Sequence, residues 1–68
     1  MKNWKKVFEA PILHRAEIVK AVLEDHDMFP VIIDKKDSSY LFGHYEVMVE
    51  ADHVLRAIKI IEDDIRFE

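Results

Sequence analysis

The chain has 68 residues, with no cysteine, one glycine and two prolines; half of it is hydrophobic and 35% is charged. That length holds one domain with one small core, and the lack of cysteine removes disulfides as a source of stability. Ten Lys and Arg against fourteen Asp and Glu give a formal net charge of −4. With the basic residues scattered, this argues against the counterion-releasing face of a nucleic-acid binder. The apolar runs are too short to span a bilayer. The opening Met-Lys-Asn-Trp-Lys-Lys leads into no apolar signal segment, so a cytoplasmic protein without a membrane partner is expected.

Trp4 to Glu9 is short and rich in β-formers, which predicts a first strand. Simple alternation places Trp4 and Phe8 on one face with Lys6 between them, and Val7 on the other. Ala10-Pro11 breaks the strand, and proline suits the first turn of a helix. From Ile12 the period becomes 3.6: Ile12, Ala16, Val19 and Leu23 form an apolar stripe, with Val22 on its border. The helix is expected from Pro11 to His26, with Ile18 outside the stripe. Met28 to Asp34 reads as a second strand. Pro30 cannot donate to a ladder, so this strand lies at a sheet edge or carries the proline at its start.

Lys35 to Gly43 reads as a loop, in which Asp37, Ser38 and Ser39 favour local side-chain bonds to the backbone. Gly43, the only glycine, is expected to supply a positive φ or a close approach. His44 to Glu50 alternates cleanly, with Tyr45, Val47 and Val49 on the buried face. Asp52 reads as the N-cap of a second helix. Its stripe is Val54, Ala57, Ile58, Ile61 and Ile65, and its end is expected near Asp64. Ile65 to Phe67 either extends that stripe or forms a short last strand.

The order β-α-β-β-α(-β) predicts an α+β, ferredoxin-like sandwich in a single domain spanning residues 1–68. Its sheet is antiparallel or mixed, of three or four strands, with both helices on one face. Strand three belongs between strands one and two, which leaves strand two at an edge.

Catalytic signals are weak. No G-x-S-x-G elbow, Gly-rich phosphate loop or dinucleotide fingerprint is present, so no enzyme activity and no cofactor are expected. Four histidines are scattered at His14, His26, His44 and His53. His14 and Glu17 have helical metal-ligand spacing, and His44 and Glu46 share a strand face, but neither pair has a second ligand motif. No metal site is therefore assigned. The loop is the candidate binding element. Lys35, Lys36, Ser38 and Ser39 offer donors to an anion; Asp37 and Gly43 shape the segment; Tyr40, Leu41 and Phe42 add apolar bulk, or fold back to cap the core. The reading is a non-enzymatic regulatory module that binds an unidentified protein or small ligand. The alternative is a self-associating subunit, joined through a sheet edge or through Ile18 and Ile60 together with Leu13.

One resemblance covers nearly the whole chain. Trp4-Lys-Lys-Val-Phe8, Arg15-Ala-Glu-Ile-Val-Lys-Ala-Val-Leu23, Asp37-Ser-Ser-Tyr40, Phe42-Gly43, Glu46-Val-Met-Val49 and the helix with Ala57 resemble a family of small bacterial proteins. These are described as putative prokaryotic signal-transducing proteins, a domain of unknown function. The family is similar in fold to PII-type (GlnB-like) nitrogen-regulatory proteins, which implies a ferredoxin-like core. In PII-type proteins the loop between the second and third strands contacts partners. Here that loop is short, and the Gly-rich nucleotide segments have no match. Where the family has a glycine-containing turn after the first helix, this chain has His26-Asp27-Met28, so Asp27 must take the left-handed cap position.

Overall fold

The computed structural model describes residues 3–35 and 43–65. Three strands, β1 (Trp4–Ala10), β2 (Val31–Lys35) and β3 (His44–Glu50), form one sheet in the order β1-β3-β2. Both neighbours run antiparallel to β3. Helix α1 (Leu13–Glu24) links β1 to β2, and α2 (Val54–Asp64) follows β3 after a 3₁₀ turn at Ala51–His53. The edge position of β2 is the one expected, and Pro30 immediately precedes the strand, where it deprives no ladder of a donor.

Both helices pack on one side of the sheet. Val47 and Val49 of β3 are buried with Ala16, Val19 and Leu23 of α1, with Met28, and with Ala57 of α2. The stripe expected for α1 is therefore the buried one, except at its start. Ile12 is the extended N-cap and is half exposed, so the helix begins at Leu13 rather than Pro11.

The far end of α1 shows how the chain turns without glycine. The Met28 N–H donates to the Leu23 carbonyl at 3.3 Å, and the Asp27 N–H to the Glu24 carbonyl at 3.1 Å. This crossed pair is a Schellman motif, and Asp27 takes its left-handed position with φ 64°. Met28 then drops into the same core as Leu23, supplying the apolar contact that usually accompanies the motif.

Three local expectations are corrected. Asp52 does not cap α2: it lies in the 3₁₀ turn, and His53 occupies the N-cap with no side-chain bond. The stripe of α2 is also rotated. Ala57 is fully buried, and Val54, Ile60 and Ile61 pack around it, whereas Ile58 is exposed. The smallest side chain sits at the closest approach, so Ile58, about 100° further round the helix, turns outward. Ile60 thus leaves the surface on which it was expected with Ile18 and Leu13. Of the two roles expected of Gly43, the positive φ is not the one it fills: among the described residues only Asn3 and Asp27 have one. At the end of α2, Ile65 is extended and packs against the core. Residues 66 and 67, on which the choice between helix and last strand depends, lie outside the described residues.

The fourth correction matters most for the site. The register of β1 on β3 runs Trp4↔Glu50, Lys5↔Val49, Lys6↔Met48, then Phe8↔Val47, Glu9↔Glu46 and Ala10↔Tyr45. Val7 is an extra residue, a β-bulge. Register partners share a face, so Trp4 and Lys6 lie on the side away from the helices. Phe8 lies on the helix side opposite Val47, not on the face of Trp4. The cause is in the sequence: Val7 and Phe8 are adjacent apolar residues, and strict alternation would turn one of them away from the core. The bulge allows both to pack against it.

Candidate functional site

The bulge also changes where the charged residues of β1 point. On an unbroken strand Lys6 and Glu9, three apart, face opposite sides. Here both face away from the helices, and the Lys6 ammonium donates to the Glu9 carboxylate. Glu9 is in turn the register partner of Glu46 on β3. Like charges directly opposite on antiparallel strands repel. Lys6 partly relieves this: its Nζ is 3.9 Å from Glu46 Oε2 as well as in contact with Glu9. His44, two residues along β3, donates through Nε2 to Glu46 Oε2 at 3.0 Å. The Glu46 side chain is only 15% exposed, with the Lys6 ammonium and the His44 ring beside it.

One ligand atom from each of Glu9, His44 and Glu46 lies within 4.8 Å of the others. An imidazole and two carboxylates this close could hold a divalent cation. The Lys6 ammonium is raised above its usual 10.5, first through the hydrogen bond to Glu9 and then through that carboxylate's charge. The same hydrogen bond, and then the Lys6 charge, hold the Glu9 carboxyl below its usual 4.5.

The expected binding loop leaves and returns at this end of the sheet. Lys35 and His44 are register partners, so the stems of the loop stand on the face that carries Lys6, Glu9 and Glu46. Lys35 is exposed, and Gly43 is half-buried just before β3. Lys36, Asp37, Ser38, Ser39, Tyr40 and Phe42 lie outside the described residues. Beyond the charged group the face becomes apolar, with Ile33 beside Glu46 and Val31 beside Met48, all partly exposed. At the other end of the sheet, Asn3, Glu50, Ala51 and Asp52 line an open, polar depression.

The family model described as putative prokaryotic signal transducing protein matches residues 4–64. The chain belongs to this family. The matched stretch of this chain takes in the bulge of β1, the cluster around Glu46 and both stems of the loop. Neither the curated proteins nor the solved structures yield a match.

The sequence alone paired His44 with Glu46 but missed Glu9 and Lys6, because membership depends on the cross-strand register. The available signal was the Val7-Phe8 doublet, which breaks alternation in a strand that has to bury one face.

Proposed function

We propose that the chain is a non-enzymatic regulatory module that binds a protein or small ligand at the loop end of its sheet. The observation that carries this reading is the register of Lys35 with His44. It joins the stems of the 35–43 loop to the Lys6–Glu9–Glu46–His44 group in one continuous polar surface, bordered by the partly exposed Ile33. A polar rim beside an apolar patch is the make-up of a recognition surface. The family description supplies the regulatory sense.

The test compares wild type with Lys35→Ala/Lys36→Ala/Tyr40→Ala in affinity capture and in a thermal-shift ligand screen. A partner or ligand shift lost in the triple variant, at unchanged circular dichroism, supports the reading; unchanged partners and shifts remove the loop from it. Light scattering across concentration addresses self-association: a mass that grows with concentration would favour the structural subunit instead.

A further inference from the structure

The geometry points to a binding site for a single first-row divalent cation, of the Zn²⁺ type, formed by Glu9, His44 and Glu46. This goes beyond the loop reading and does not depend on it.

Three observations converge. The first is the donor set: one imidazole and two carboxylates, with ligand atoms already within 4.8 Å of one another. Around a tetrahedral ion with metal–ligand bonds of about 2.0–2.2 Å, donor atoms lie roughly 3.4 Å apart. Small rotations of the two glutamates close that difference. The mixture of nitrogen and oxygen donors favours zinc and its neighbours over magnesium or calcium, which prefer oxygen alone. The second is the register. Glu9 stands directly opposite Glu46 only because Val7 is bulged. The bulge therefore creates a pairing of like charges that is unfavourable unless a cation lies between them. The third is the position: His44 and Glu46 rise from the central strand, a rigid support, and their side chains are 34% and 15% exposed. Three protein donors leave a fourth coordination position for water or a ligand.

Lys6 holds the cation's place in the metal-free protein. Its ammonium contacts Glu9 and approaches Glu46, and its side chain is 45% exposed, so it can swing into water as the metal enters. Metal binding is thus an exchange of one cation for another on the same two carboxylates.

The test is isothermal titration of the full chain, purified without a tag, with ZnCl₂. Wild type is expected to bind one ion. His44→Ala and Glu9→Gln, checked for fold by circular dichroism, should each weaken binding by more than about tenfold. Lys6→Ala should tighten it by about three- to tenfold, since the ammonium no longer competes for the two carboxylates. In the nitrogen NMR spectrum of the saturated protein, the His44 ring should shift while His14, His26 and His53 stay in place. Zn²⁺ binding no tighter in wild type than in His44→Ala would overturn the proposal, as would a shift confined to the other three histidines.

Discussion

Val47→Asp probes the packing of both helices against one face of the sheet. Val47 is fully buried at the middle of the central strand, with Phe8 and Ile32 opposite it on either side. Replacing it forfeits about 1.5–3 kcal/mol of apolar burial. The new carboxylate finds no partner, because no buried polar or charged side chain is present among the described residues. An unpaired buried charge adds about 3–5 kcal/mol. The loss of roughly 5 kcal/mol or more is set against a total of about 3–10 kcal/mol for a domain of this size. The variant should be unfolded, or nearly so, at 25 °C. Met48→Asp is the control one residue along. Met48 faces away from the helices with Lys6 as its register partner, so the loss should stay near 1–2 kcal/mol. Thermal melts by circular dichroism read both. If Val47→Asp melts cooperatively within about 8 °C of wild type, the assignment of faces is wrong, since that interval corresponds to about 1 kcal/mol.

Asp27→Gly should stabilise the protein by about 0.5–1 kcal/mol in urea unfolding, because glycine takes φ 64° without a Cβ clash; a loss of stability would count against the Schellman turn. Leu23→Ala should cost about 2–5 kcal/mol, while Leu55→Lys, at a site 84% exposed, should stay within about 0.5 kcal/mol. The pair Lys6–Glu9 fixes the sign of a pH effect. The folded-state pKa of Glu9 is depressed, so its contribution is present above the unfolded value and fades as pH falls through the folded one. Lys6 is raised, so its contribution holds below its unfolded value and fades as pH rises through the folded one. Carbon NMR titration should place the Glu9 carboxyl midpoint below 4.5 in wild type and return it upward in Lys6→Met; an unmoved midpoint would separate the two groups.

What could be read from the residues was governed by which patterns are local. The α1 stripe beyond Ile12 and the alternation of β3 depend on period alone, and the structure has them; the edge position of β2 follows from the element order, and Pro30, just before the strand, agrees with it. The left-handed position of Asp27 was implied by the resemblance, whose glycine-containing turn this chain replaces with His26-Asp27-Met28. Two features were not legible, for a common reason: each depends on how neighbouring elements meet. The rotation of α2 follows from Ala57 lying closest to its neighbours, and a stripe counted along one helix carries no such information. The bulge at Val7 follows from a one-sided sheet having to bury two adjacent apolar residues. With it missed, Phe8 was assigned to the wrong face and Glu9 was not joined to His44 and Glu46. The half of the site that lies on one strand could be seen; the half that crosses strands could not.

A one-residue slip at Val7 carries Glu9 to the charged face. Cross-strand nuclear Overhauser contacts measure it directly. Contacts pairing Phe8 with Val47 and Glu9 with Glu46, with Val7 unpaired, are the predicted result. Contacts that continue the Lys6–Met48 register, setting Val7 against Val47 and Phe8 against Glu46, would contradict the site and the cation proposal together.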